Sequence, residues 1–240
     1  MNIFITGISK GLGLAMTRHF ITNGQSVMGI SRTMTPELKQ LLDAYPEQLT
    51  WHSCDLSETD KIEERLRHLF TLDEVPIHAF IDNAAILYKN LIHRLDAIEV
   101  ANMVTVNTIA PLVVTKVMLD NFLKFKTQGS IVHLSSICAH RAFNGLSVMS
   151  ATKAAIEAFS KDTAYEYGRF GIRSNTIVAG LLEIGMKSTV NEKLTADLKS
   201  ISSLRRLVDT QSIIDMVAYL ISSKAQCITG ENIHINAGIV

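Results

Sequence analysis

Apolar positions along this chain fall in two alternating rhythms. Short continuous runs at residues 3–5, 26–31, 49–54, 77–81, 130–134, 172–178 and 232–235 read as buried strands. Between them apolar residues recur at three- and four-residue spacing, as in LAMTRHFI after Gly13, and read as one-faced helices. Strand-like and helix-like segments alternate nearly to the end, which predicts a parallel α/β sheet. Thr35-Pro36 opens a helix to residue 44, with Pro36 at a first helical position. Ser57-Glu58-Thr59-Asp60 resembles a capping box before a helix to about residue 72. A helical region over about 95–126 contains Asn107 and Pro111, and Pro111 is expected to kink or divide it. Further helices are expected over 147–167 and 209–221, with a weakly patterned lid of short helices at about 180–207 between them. No linker, repeat or low-complexity tract divides the 240 residues, so one domain is expected.

The first strand runs into a glycine-rich turn, Thr6-Gly7-Ile8-Ser9-Lys10-Gly11-Leu12-Gly13, and then a helix. That order makes a cradle for a phosphorylated ligand. Residues without β-carbons let the backbone approach a pyrophosphate, and the new helix points free N–H groups at it. The spacing is G-x3-G-x-G, and no Lys-Ser or Lys-Thr follows, so it is not a Walker A loop. In such sheets ligands sit beyond the carboxyl ends of the strands, where strand order reverses. Ser9, Lys10, Arg32, Asp55, Asn83, Ser136 and the loop after Val178 fall at those ends.

Charge and cysteine usage narrow the field. Lys plus Arg and Asp plus Glu each number 23, so the chain carries no net charge to draw it to nucleic acid or an anionic membrane. Cys54, Cys138 and Cys227 are widely spaced and form no CxxC, which fits free thiols in a reducing compartment and no metal site. The fold is expected to begin at residue 2, leaving no room for a signal peptide, and no apolar run reaches the roughly 18 residues of a membrane span. A cytoplasmic location is expected.

The residue closing the second strand meets the adenosine ribose in this geometry. An acid there favours NAD; this chain has Arg32, and no acid until Glu37. A cation where a 2′-phosphate would sit, with Lys10 inside the loop as a second, favours NADP(H) over NAD(H). Asp55 either accepts from the adenine amino group or caps the turn that follows it.

Taken together, these residues resemble the short-chain dehydrogenase/reductase family, particularly its 3-oxoacyl carrier-protein reductase-like members, over essentially the whole chain. Gly7, Gly11 and Gly13 fall on its TGxxxGxG motif; Asp82-Asn83-Ala84-Ala85 looks like its NNAG; Asn107 matches its helix asparagine. Ser136 matches its catalytic serine, Ala151-Thr152-Lys153 the tail of its YxASK, and Ile228-Thr229-Gly230 its C-terminal ITG segment. The resemblance implies a doubly wound seven-stranded parallel sheet with helices on both faces. It implies cofactor contacts at Gly7, Ser9, Lys10, Gly11, Leu12, Gly13, Arg32, Asp55, Leu56, Asn83, Ala84, Lys153 and Gly180. It further implies a homodimer or homotetramer built on the helices at 95–126 and 147–167, the latter rich in small residues.

In that family a tyrosine gives its proton to the carbonyl oxygen as hydride arrives; the lysine lowers its pKa and binds the ribose, the serine polarises the carbonyl, and the asparagine holds a water. Four residues before Lys153 and thirteen after Ser136 this chain has Met149, whose thioether has no proton to give. Ala179-Gly180 stands where the family has Pro-Gly, and Ile184 where a threonine holds the cofactor. Two readings follow. One is an active NADP(H)-dependent oxidoreductase with another proton donor, for which His140, Tyr88 and Ser136 through water are the candidates. The other is a cofactor-binding but catalytically weak subunit that supports an active homologue in a hetero-oligomer. Dehydration or isomerisation on the same scaffold is a third, without positive support in the sequence. Leu181, Leu182, Ile184 and Met186, with Phe143, Leu146 and Met149, would give the lid an apolar side suited to an acyl chain or a hydrophobic carbonyl compound. They serve equally well as core. Cys138 is a nucleophile candidate or a buried thiol.

Overall fold

A computed structural model describes residues 1–182 and 199–239, with the side chains of residues 70–73 left out. Seven strands form one sheet: β1 Asn2–Thr6, β2 Ser26–Ser31, β3 Leu49–Ser53, β4 Ala79–Asp82, β5 Ser130–Ser136, β6 Arg173–Ala179 and β7 Asn232–Ile235. All neighbours are parallel, in the order β3-β2-β1-β4-β5-β6-β7. The order reverses between β1 and β4, and the ends of these two strands frame the site. The helices are α1 Gly11–Thr22, α2 Pro36–Ala44, α3 Thr59–Asp73, α4 Ala97–Val104, α5 Ala110–Phe125, α6 Ser147–Tyr167 and α7 Thr210–Ile221.

Alternation along the strands divides the core. Ile3 and Ile5 join Met16, Phe20, Val217 and Leu220 on the α1–α7 face. Phe4 and Phe80 join Ile62, Leu66, Val114, Met118 and Phe122 on the α3–α5 face. The helices therefore cover both sides of the sheet, which is what strands apolar on both faces require.

Three expectations are corrected. The 57–60 segment is not a capping box: Glu58 is the N-cap of α3 and makes no side-chain cap bond, while the Asp55 carboxylate accepts from the Ser57 N–H at 2.9 Å. β4 runs from Ala79, two residues later than expected, and His78 just before it already bonds Asn2 of β1 and Ser130 of β5. The long helical region is continuous over Ala97–Phe125 and reaches the length and mean hydropathy of a membrane span. Its apolar residues Val106, Ala110, Val114, Val117, Met118 and Phe122 are buried in the α3–α5 face of the core, which is how a core helix packs. Within it, a π-helical turn at Thr105–Ile109 separates α4 from α5, and Pro111, which has no N–H to give to the preceding turn, follows it at the opening of α5. Of the expected lid, residues 183–198, with Ile184 and Met186, lie outside the described residues. Its ends are held together, since Leu182 bridges Val208 and the Leu181 carbonyl accepts from the Val208 N–H at 2.9 Å.

Candidate active site

At the β1–α1 junction Gly7 takes a left-handed φ of 76°. A β-carbon there would stand 3.0 Å from the Ala84 Cα. Gly13 is tighter: its β-carbon would fall 2.1 Å from the Gly7 carbonyl oxygen, so only glycine lets α1 start this close to the strand. Lys10, the α1 N-cap, is extended and makes no side-chain cap bond, and the first turn holds no acid. The N–H groups of that turn thus face the cleft without a competing anion.

The loop is braced from two sides. The Asn83 amide donates to the Thr6 carbonyl at 2.9 Å and to that of Gly7 at 3.2 Å. Thr6 Oγ1 accepts from the N–H groups of Asn83 and Ala84, both at 3.0 Å, and donates to Asp82 at 3.3 Å. Thr35 donates to the Ser9 carbonyl at 2.7 Å and tethers the α2 cap to the loop. A cleft of about 420 Å³ results. It gathers Gly7, Ser9, Lys10, Gly11, Leu12, Gly13, Arg32, Asp55, Leu56, Asn83 and Ala84 along one wall-to-wall surface, with Thr33 and Val106 beside them. Hydrogen bonds from Ser57, then the nearby Arg32 charge, hold the Asp55 carboxyl below the usual aspartate range. Asp55 thus caps its own turn while lining the cleft. Glycines that close packing demands, an open helix start and a flanking Arg32 are what an adenine dinucleotide requires, and the residues fit that group.

Gly180 lies apart from this cleft. It accepts the chain of β7 so closely that a β-carbon would fall 2.7 Å from the Asn236 Cα. Its N–H bonds the Ile235 carbonyl.

The remaining sequence-predicted residues do not line this cleft. Asn107 lies in the π-helical turn, 1% exposed. Its amide exchanges bonds with the Ile86 backbone at 2.8 and 2.9 Å and places Nδ2 3.6 Å from the Met149 sulfur. Lys153, one turn beyond Met149 on α6, is buried and donates to the Leu134 carbonyl at 2.6 Å. Burial pushes its ammonium down from the ordinary lysine range, with Asp82, Cys138 and Glu157 opposing. Ser136 starts a short 3-10 turn, Ile137–Ala139, and its Oγ accepts from the Cys138 N–H at 3.4 Å. Tyr88 is tied into its own loop: its hydroxyl accepts from the Asp96 N–H at 2.9 Å and from the Asn90 amide at 3.1 Å. His140 ends the 3-10 turn, and its Nε2 lies 2.7 Å from a Glu157 carboxylate oxygen.

Two buried groups escaped the sequence reading. Glu157 is the first; besides His140 it accepts from Ser135 at 2.5 Å and from the Asn232 amide at 2.9 Å. Its place one turn after Lys153 on an apolar helix face is the signal that was available. The second is His133, wholly buried, with Nδ1 3.1 Å from Asp82. The β4–β5 register pairs these two residues directly, and adjacent strand ends were legible in the sequence.

Comparison with known proteins places this geometry. The sequence model of the family described as Enoyl-(Acyl carrier protein) reductase matches residues 7–240. The 3-oxoacyl-(acyl-carrier-protein) reductase FabG of Escherichia coli strain K12 is 28% identical over 237 residues, 98% of this chain and 95% of that protein. Its counterpart from Buchnera aphidicola is 27% identical over 236 residues, 98% and 96% of the two chains. Among solved structures, 4-hydroxyisoleucine dehydrogenase complexed with NADH superposes with a TM-score of 0.94 at 26% identity, covering 100% of this chain and 98% of that one.

Proposed function

The chain belongs to the short-chain dehydrogenase/reductase family, and on that premise we propose that it is an NAD(P)H-dependent oxidoreductase acting on the carbonyl or hydroxyl group of a small acyl-type or apolar substrate. The observation that carries this reading is the single cleft in which the Gly7–Gly13 loop, Arg32, Asp55 and Asn83 meet. Arg32 and Lys10 support a preference for NADP(H) over NAD(H), because both are cations beside the place a 2′-phosphate would take. A bound nicotinamide dinucleotide supplies or accepts the hydride. The N–H groups at the start of α1 hold its diphosphate, and Arg32 reads the ribose end. Ser136 polarises the substrate carbonyl from the end of β5. Lys153 contributes positive charge beneath the site, and Asn107 fixes the 86–88 segment that borders it. Gly180 opens the substrate-side loop after β6, within a single domain spanning 1–240. Exposed Ala151, Ala154, Ala155 and Ala158 on α6, with Ile98 and Ile109 on the neighbouring helical stretch, support a homodimer or homotetramer. Three free cysteines suit the cytoplasm.

Met149 favours a second reading, a cofactor-binding subunit that stabilises an active homologue. One titration separates them. Purified protein is titrated with NADPH and NADH by cofactor fluorescence, then assayed at 340 nm with 3-oxoacyl thioesters and simple ketones. Tighter NADPH binding with turnover supports the enzyme; binding without turnover supports the subunit; failure to bind either nucleotide overturns both.

A further inference from the structure

Reduction of a carbonyl needs a proton as well as a hydride, and the thioether at position 149 holds none. Of the two titratable side chains singled out as donors, Tyr88 is held in the 88–96 loop, where its hydroxyl accepts from the Asp96 N–H and the Asn90 amide. His140 is placed otherwise. Ser136 caps the start of the 3-10 turn and His140 caps its end, so one turn of backbone fixes the two side chains relative to each other. The imidazole, 36% exposed, also borders a cavity of about 690 Å³ walled by Cys138, Phe143, Ser150 and His93. Ser150 is the neighbour of Met149 on α6.

Behind the ring stands a carboxylate that is otherwise hard to explain. Glu157 is 8% exposed, and a buried charge is costly unless paired and hydrogen-bonded. It is held by Ser135, Asn232 and His140, and of these three only His140 can carry a positive charge. This is the arrangement that orients an imidazole, with Glu157 fixing which way the ring faces. The charged and titratable groups around the ring are Glu157 from α6, His234 from β7 at a centroid distance of 4.6 Å, and Cys138 and Arg141 in its own turn. Lys153 faces Glu157 from the other side. Burial, then His140, lowers the His234 pKa from its ordinary value, with Glu157 opposing.

We propose that His140, positioned by Glu157, donates the proton that the family tyrosine would have given. The proposal rests on the oxidoreductase reading above. As hydride adds to the carbonyl carbon, the C=O π pair moves to oxygen, and that oxygen takes the proton from the Nδ1 of the imidazolium. Neutral His140 keeps its Nε2 proton on Glu157, and the exposed part of the ring regains a proton from water. In alcohol oxidation the same atoms run in reverse. His140 is the proton donor; Glu157 is a positioning residue.

The test compares His140→Gln and Glu157→Gln in two backgrounds, the native chain and Met149→Tyr, with NADPH affinity and melting temperature measured on each. His140→Gln is expected to lower carbonyl reduction in the native background by about 10²- to 10⁴-fold. The same substitution is expected to cost far less once a tyrosine is present. Glu157→Gln, where it folds, gives a smaller loss of the same kind. Equal losses in both backgrounds would assign His140 a structural role and overturn the proposal, as would native turnover indifferent to His140→Gln. Turnover only after Met149→Tyr would overturn it too, leaving a chain that binds cofactor without a donor. Absence of turnover from every variant would sink the oxidoreductase reading itself.

Discussion

The Asn107 side-chain nitrogen lies 3.6 Å from the sulfur of Met149, across the gap between the π-helical turn and α6. That distance suits a weak N–H···S contact and no stronger one. A tyrosine at 149 would bring a hydroxyl to the side of the site where Asn107, Lys153 and Ser136 already stand. Met149→Tyr is therefore expected to raise the rate of simple ketone reduction, by up to the roughly 10²- to 10⁴-fold that acid–base assistance supplies. The readout is NADPH consumption at 340 nm under saturating cofactor. An unchanged or lower rate would mean that Ser136 and Lys153 are not arranged for the family reaction.

Arg32 predicts cofactor selectivity. It is exposed at the end of β2 and lines the cleft together with Lys10. A charge-assisted bond to a phosphate contributes about 1.5–3 kcal/mol. Arg32→Asp is expected to weaken NADPH binding about 10- to 100-fold and to leave NADH binding equal or tighter, since an acid can accept from the free 2′-hydroxyl. Parallel titrations by calorimetry decide it. Equal losses for the two nucleotides would show that Arg32 acts on the loop rather than on the phosphate.

The strands and the glycine loop were legible because both are written locally. Residues 26–31 and 232–235 announce β2 and β7 by apolar run and flanking turn, and Gly7, Gly11 and Gly13 announce the cradle by spacing. The gathering of the strand-end residues around one cleft was equally legible, since parallel strands carry their C-terminal residues to one edge. Contacts between distant segments were not. Nothing near Glu157 in sequence reveals that His140 and Asn232 will meet its carboxylate, 17 and 75 residues away. Pro111 suggested a kink or a division of the long helical region, yet the region runs continuously over Ala97–Phe125, with a π-helical turn around Asn107 just before the proline. Asp55 followed the local option, capping its own turn, while remaining in the cleft.

Asp82 and His133 form a buried pair between β4 and β5, and Asp82 also orients Thr6 under the glycine loop. Removing one partner of a buried hydrogen bond leaves the other unsatisfied, at a cost of about 1–3 kcal/mol. His133→Ala is expected to lower stability by about that amount and to weaken cofactor binding with it. The double variant Asp82→Asn with His133→Asn replaces the pair by two neutral amides and is expected to recover most of the loss. Urea denaturation measures the first effect, and nucleotide titration the second. A double variant no better than the single one would argue that shape, not hydrogen bonding, sets the cost.

Asp209 caps α7, accepting from the Ser212 N–H at 2.7 Å and from its hydroxyl at 2.8 Å. These bonds hold its carboxyl below the usual aspartate range. The sign follows from linkage. A carboxyl whose folded pKa is depressed stabilises the fold fully above the unfolded aspartate value, about 3.9, and loses that contribution as pH falls through the folded value. Asp209→Ala is expected to cost about 1 kcal/mol at pH 7, the ordinary value of an N-cap. The difference between the two proteins is expected to shrink steadily below about pH 4. Urea midpoints at pH 7, 5 and 3 test this, because α7 packs on α1 beside the cofactor loop and its fraying would also loosen the cleft. A gap that stays constant down to pH 3 would assign the cap to packing rather than to the ionised carboxylate.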